Sequence, residues 1–420
     1  MIKFAFSAGF STLLSIFKRS LTACAIVSAV CIMVPHASAQ EAVRPEVGKP
    51  LQAANDLMRA GKFKDALNKV REAERVSGLT AQESYLVNSS MGSAASGAGD
   101  SATAIRAFEA VLASGKAPGA TQLKIVEALV GMQYSARNYP AAIQMATRYF
   151  RDGGGSGQVR TLMIQSYFQS GDFANAAKES LTDIQADEKA GRAPSEEKLQ
   201  LLANSYLRQK NGNGYIATIE KLLNYYPKKS LWADVVSRLQ SKPGFADRLA
   251  LDVYRLRLAT GNLTATNDFM EMSQLALQAG FPSEAKKVVD DGYASGALGK
   301  GAEAARHKRL KDLVESRVAE NASVIAAGSK AEAEANAARN GDALFTLGYN
   351  RFTAGQSSGT GMMEAAIKKG DMKRPEDAKL HLGIALLQSN QKVRGVQMLR
   401  SVKGEDGVAD MANLWVIFSR

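Results

Sequence analysis

Few side chains in this sequence are of a type and spacing that could do chemistry. The two cysteines are Cys24 and Cys31, both within the first forty residues. The three histidines are His36, His307 and His381. Beyond them stand one acid–hydroxyl pair, Glu315-Ser316 in LVESRV, and a glycine run, GGGSG at 153–157. A zinc centre needs several clustered ligands, and His307 and His381 lie far apart in the chain. No Ser-His-Asp constellation can be assembled around them. The glycine run lacks the Gly-Lys-Ser/Thr ending and the preceding strand of a phosphate loop, and reads as a flexible linker. Glu315 as a general acid would need a raised pKa and a sugar-binding cleft; the plainer reading is a charged face residue beside Arg317. The expectation is no catalytic residue, no metal ligand and no cofactor.

The start of the chain removes more chemistry. Lys3, Lys18 and Arg19 precede an uncharged run from Leu21 to Val34, then Pro35 and Ala37-Ser38-Ala39. This is the pattern of a secretory signal over residues 1–39, cleaved between Ala39 and Gln40. The apolar run is short for a membrane span; an uncleaved anchor is the alternative. Leu21-Thr22-Ala23-Cys24 is not read as a lipidation box, because Lys18 and Arg19 stand where its apolar core belongs. Cleavage takes both cysteines away, and with them disulfides, thiol nucleophiles and thiolate metal sites. The chain has 53 Lys+Arg against 41 Asp+Glu, and the leader holds three of the bases, leaving 50 against 41, or +9. That moderate excess suits acidic partners, anionic lipid or acidic glycans, or is a solvated surface with no specific target. Export to the periplasm argues against nucleic acid.

The elements that position the remaining residues are helices. Alanine and leucine are plentiful and prolines few, which favours an all-α fold. Residues 40–50 read as a tether. From 51 to 297 apolar residues recur at helical spacing in pairs of segments broken by turns at Gly61, Gly99, Asn138-Tyr139, Gly171, Asn211–Gly214 and Gly280. The second copy is weakened by MGSAASGAG. Residues 298–340, rich in alanine and mixed charge, read as a helical spacer, with a hinge or a partner-binding segment as alternatives. Repeats resume over 341–420. The best-formed hairpin is Glu376–Val402, and a last helix carrying Trp415 and Phe418 caps it; His381 reads as a packing residue. A hairpin of this size cannot bury both faces alone and requires stacked copies.

These hairpins resemble tetratricopeptide repeats. Tyr167, Gly171, Phe173 and Ala176 fit that pattern, as do Leu202-Ala203 with Tyr206, Ala54 and Leu57 with Ala66, and Leu382-Gly383 with Leu386 ahead of Gly395 and Leu399. The resemblance covers most of residues 51–403 and implies an α-α superhelix, a solenoid of degenerate hairpins whose first helices line a groove. The implied groove residues are Asn55 and Arg59, Glu127 and Tyr134, Gln165 and Gln169, Asn204 and Arg208, and Tyr349 and Phe352. A clamp for a terminal carboxylate is not expected, because Leu51 and Gln200 stand where its lysine belongs. Glu315-Ser316 also resembles the catalytic pair of lytic transglycosylases, but the following AENASVIAAGSKAE lacks that family's Gly-Leu-Met-Gln element.

The function expected is a non-enzymatic periplasmic scaffold that binds a protein or peptide, in envelope assembly, secretion or polymer export. The alternatives are an enzyme acting on peptidoglycan or polysaccharide, or its helical accessory domain, and a basic adaptor at a membrane surface.

Overall fold

The computed structural model describes residues 42–420, so the expected leader and its cleavage site lie outside the described residues. The described residues form 21 α-helices, one short 3-10 turn at Asp247–Leu249 and no strand. The chain divides after Glu179 into two compact units.

The first unit holds α1 (Pro45–Arg59), α2 (Phe63–Glu74), α3 (Ala81–Ala98), α4 (Ser101–Ala113), α5 (Gly119–Ser135), α6 (Tyr139–Arg151), α7 (Gly157–Gln169) and the start of α8 (Phe173–Lys189). The pairs α1–α2, α3–α4 and α5–α6 are hairpins, and each second helix packs on the first helix of the next pair. First helices also touch each other, α1 on α3 and α5 on α7. Their buried faces carry Val47, Leu51 and Ala54 of α1, Ala66, Leu67, Val70 and Ala73 of α2, and Val87, Met91, Ala94 and Ala95 of α3. The recurrence at threes and fours is what places these side chains on one stripe.

Two expectations change here. Residues 45–50 are helix, with Val47 fully buried, so the tether expected over 40–50 does not extend past Arg44. Arg44 is bolted down: its guanidinium donates to both oxygens of Glu83, at 2.8 and 3.0 Å, and to the Gly78 carbonyl. Glu83 also closes a capping box with Thr80 at the start of α3. The weak-looking MGSAASGAG, in turn, lies almost wholly within a regular helix. Its glycines admit close approach: a Cβ on Gly92 would lie 2.5 Å from the Phe108 ring, and one on Gly97 2.2 Å from the Phe63 ring. Low propensity is outweighed by packing.

The second unit holds α9 (Glu196–Arg208), α10 (Gly212–Tyr225), α11 (Lys229–Gln240), α12 (Ala250–Ala259), α13 (Thr266–Gln278), α14 (Pro282–Ala294), α15 (Ala304–Ala326), α16 (Ser329–Ala337), α17 (Asp342–Thr353), α18 (Ser358–Lys369), α19 (Pro375–Gln388), α20 (Lys392–Arg400) and α21 (Val408–Phe418). The pairs α9–α10, α13–α14, α17–α18 and α19–α20 are hairpins. The stretch expected as a spacer is part of the core. α15 packs on α13, α14 and α17 through His307, Leu310 and Val314, all buried. Its apolar groups are few, but they are phased. Buried Arg351 of α17 holds α16 by donating to Glu332 at 3.0 Å and to the Gly328 carbonyl at 3.1 Å.

α21 caps α20 and also packs on α10 and α12. Trp415 is 2% exposed, and Phe418 sits edge-on to both Trp415 and Trp232 of α11. Arg248 pairs bidentately with Asp377 at 2.8 and 2.9 Å and with Asp406 at 2.7 Å, and Lys242 meets Asp410 at 2.9 Å. The second unit is therefore closed upon itself, its last helices returning to its early ones.

Candidate functional site

The turns give the repeat its register. Residues Gly61, Gly99, Arg137, Gly171, Lys210, Gly280, Gly355 and Asn390 all have positive φ. In each case the N–H of the next residue bonds back to the carbonyl five residues before it, as in Lys62 to Leu57, Asn138 to Gln133, Asn211 to Tyr206 and Gln391 to Leu386, each at 2.9 Å. This Schellman closure satisfies carbonyls at the end of each first helix. The turns at 61, 99, 137, 171 and 210 are 38, 38, 34 and 39 residues apart, close to a tetratricopeptide period. Gly261 closes α12 in the same way.

Asn55 and Arg59 lie six and two residues before Gly61, and both are exposed on the flank of α1. Gln165 and Gln169 hold the same two places before Gly171, half-buried and exposed. Asn204 and Arg208 hold them before Lys210, again half-buried and exposed. In the third hairpin the register differs from the expectation. The turn residue is Arg137, so the equivalent places belong to Gly131 and Ser135; Glu127 and Tyr134 are half-buried on other sides of α5. Tyr134 stacks edge-on against Tyr139 at 5.8 Å. A non-glycine turn residue hid that register in the sequence. In the second hairpin the places are Ser93 and Gly97, which the sequence reading passed over.

Tyr349 holds the six-before place ahead of Gly355, but it is only 5% exposed and offers no face to a partner. Its neighbour Phe352 is half-buried and packs against it at 6.2 Å. Tyr349 belongs to a buried charged cluster assembled from α12, α14, α17 and α19. Arg255, at the six-before place ahead of Gly261, donates to both oxygens of Glu284 at 2.7 Å and to Asp252 at 2.7 Å. The Tyr349 hydroxyl donates to Glu284 at 3.3 Å. Nε2 of His381 lies 2.8 Å from Asp252 and 3.0 Å from Arg255. Protonated, Nε2 donates to the carboxylate; unprotonated, it accepts from the guanidinium. The Arg255 guanidinium also faces the rings of Tyr349 and Phe281 at 5.2 and 5.7 Å.

Burial works to raise the Asp252 carboxyl, but the charges of His381 and Arg255 and their hydrogen bonds outweigh it and hold the group below its ordinary range. Burial likewise opposes the charge on Arg255, and Glu284, Tyr349 and Asp252 raise its pKa well above the usual value. Tyr349 is pushed up by burial and the nearby carboxylates. Charges so thoroughly paired hold helices together. His381 is thus more than a packing residue; the sequence could not show this because its partner Asp252 lies 129 positions away.

Glu315 is exposed on α15, 4.0 Å from Lys311. GGGSG forms the turn into α7, where Ser156 caps the helix and its N–H donates to the Tyr149 hydroxyl at 3.2 Å. Among the described residues no three His, Cys, Asp or Glu side chains are grouped to hold a metal, and no helix is long and apolar enough to cross a membrane.

No family model matches the sequence, and no curated protein matches it. Among solved structures the chain is similar to the crystal structure of yeast Tom70, with 12% identity over 88% of this chain and 94% of that one and a TM-score of 0.24. It is similar to the structure of Naa15/Naa10 bound to HypK-THB, with 14% identity over 87% and 65% of the two chains and a TM-score of 0.30. It is also similar to the crystal structure of the P58(IPK) TPR domain, with 15% identity over 82% and 99% and a TM-score of 0.22. No residue or partner carries over at these values. The chain's own turns and hairpin packing make it an all-α array of tetratricopeptide-like repeats.

Proposed function

We propose that this chain is a non-enzymatic scaffold that binds a protein or peptide partner along the first helices of its N-terminal unit. One observation supports this reading. The places six and two residues before the turns are left uncovered or half-covered by the chain at Asn55, Arg59, Gln165 and Gln169, and again at Asn204 and Arg208 at the start of the other unit, whereas Arg255 and Tyr349 at the six-before place further along are sealed in the chain's own core. The contacts on offer are hydrogen bonds from amides and a guanidinium, spread over several helices. Such a surface positions an extended or helical peptide without a covalent step. The leader pattern supports export to the periplasm, with envelope assembly, secretion or polymer export as the setting.

The test is a crosslinking pulldown from the native envelope, comparing the wild-type chain with an Asn55→Ala, Arg59→Ala, Gln165→Ala, Gln169→Ala variant. The reading expects a protein enriched with the wild type and lost with the variant. Equal recovery by both, or no enrichment, contradicts it. Retention that collapses at high salt and is unchanged by the variant points instead to a basic membrane-surface adaptor.

A further inference from the structure

Helix α15 presents an exposed stripe that is complementary to itself. Its inward face is taken by His307, Leu310 and Val314. On its flank stand Leu313 and Val324, exposed by 46% and 51%. Between them lie Arg317 and Glu320, exposed and bonded to each other at 2.7 Å. Residues 313, 317, 320 and 324 step by four, three and four, the spacing of a two-helix seam. Isolated apolar side chains on a surface are ordinary; two of them framing a charge pair on one seam are a different arrangement.

The order along the stripe is apolar, basic, acidic, apolar. Leu313 lies four residues before Arg317, and Val324 four after Glu320. A two-fold axis midway between Arg317 and Glu320 therefore sets Leu313 against Val324 of a second, antiparallel helix. The same axis sets Arg317 against Glu320 at both central positions. A parallel arrangement would instead oppose like charges. This is the condition for an isologous interface. Beside the stripe, Leu277, Gly280 and Pro282 join Arg317, Glu320, Asn321 and Val324 in lining a shallow cleft of about 260 Å³.

We infer that α15 pairs antiparallel with α15 of a second copy of this chain. A contact of about three helical turns falls short of the roughly 1,600 Å² of a standard interface. The dimer is therefore weak and concentration-dependent, and it uses a helix that carries none of Asn55, Arg59, Gln165 and Gln169.

Sedimentation velocity on the purified exported chain, from low concentration to roughly 100 µM, tests this. Wild type moves from monomer to dimer over that range. Arg317→Glu faces acid with acid across the axis and weakens the dimer at least about tenfold. Adding Glu320→Arg to it swaps both charges and restores association to near the wild-type level. Leu313→Asp, which touches no charge pair, also abolishes the dimer. Circular dichroism controls for folding, which exposed substitutions leave intact. A chain that stays monomeric throughout, or a dimer indifferent to both Arg317→Glu and Leu313→Asp, overturns the inference. So does failure of the double reversal to restore it.

Discussion

In the unit ending at Glu179, the place six residues before each left-handed turn holds Asn55, Ser93, Gly131 and Gln165. All four are exposed or half-buried. In the other unit the same place holds Asn204 in α9 and Gln274 in α13, both half-buried, but Arg255, Tyr349 and Ile384 in α12, α17 and α19, all three buried. One turn geometry and one register thus serve opposite ends. Small or uncharged polar residues leave the first-helix flank open. Large side chains fill it, and the α12, α14, α17 and α19 helices close over them. A residue's repeat position says which flank it occupies; what fills that flank decides whether it is a surface or a core.

The two units can be set against each other by substitution, and the largest effect belongs to the sealed side. Arg255→Leu takes the guanidinium from Asp252 and Glu284, leaving buried Asp252 with His381 alone and Glu284 with the Tyr349 hydroxyl alone, at a cost of about 3 kcal/mol. Hydrogen exchange should show protection lost over α12–α19 and kept over α1–α7. Unchanged protection in α12–α19 would mean the cluster does not hold that unit shut.

The open unit has its own clasp, Glu83 with Arg44, made between neighbouring hairpins. The side-chain bonds from Arg44, with backbone bonds from Thr80 and Arg44, lower the Glu83 pKa to about 2 from 4.5. A carboxyl lowered on folding stabilises fully above its unfolded pKa and loses that contribution as the pH falls through the folded value. The stability gap between wild type and Glu83→Gln should be constant above pH 4.5 and shrink from there toward pH 2. Denaturant titrations at stepped pH measure it, and a gap that widens on acidification would contradict the assignment.

A smaller effect tests the shared register itself. Arg137 and Lys210 hold positive φ where most turns have glycine. Arg137→Gly or Lys210→Gly relieves left-handed strain and should stabilise by roughly 0.5–1 kcal/mol. Gly171→Ala should lose about as much. Thermal melts that show destabilisation by both glycine substitutions would refute the common turn. The smallest effect belongs to the open flank, where Asn55→Ala and Gln165→Ala should stay within about 0.5 kcal/mol of wild type.

How legible these features were follows from their range. The hairpins could be read because their determinants are local: apolar spacing within a helix and a glycine at Gly61, Gly99, Gly171 or Gly280. The third register was missed because Arg137 supplies the turn without a glycine. MGSAASGAG looked like a weak helix because its value lies in the rings of Phe63 and Phe108, which its bare Cα positions admit. Residues 298–340 looked like a spacer because Leu310 and Val314 are few, though correctly phased. Tyr349 sat at the expected repeat place, and only the fold shows Arg255 and His381 against it. Arg248 and Asp377, which help close the second unit, are 129 residues apart, beyond any local pattern.

The most direct test of the contrast is site-specific photocrosslinking in cells. A crosslinking residue goes at Arg59 or Gln169 on the open flank, at Glu109 on α4 as an exposed position elsewhere in the same unit, and at exposed Lys392 in the other unit. The expected result is one discrete protein adduct from positions 59 and 169 and none from 109 or 392. Adducts of equal yield from all four positions, or adducts from 392 alone, would contradict the account.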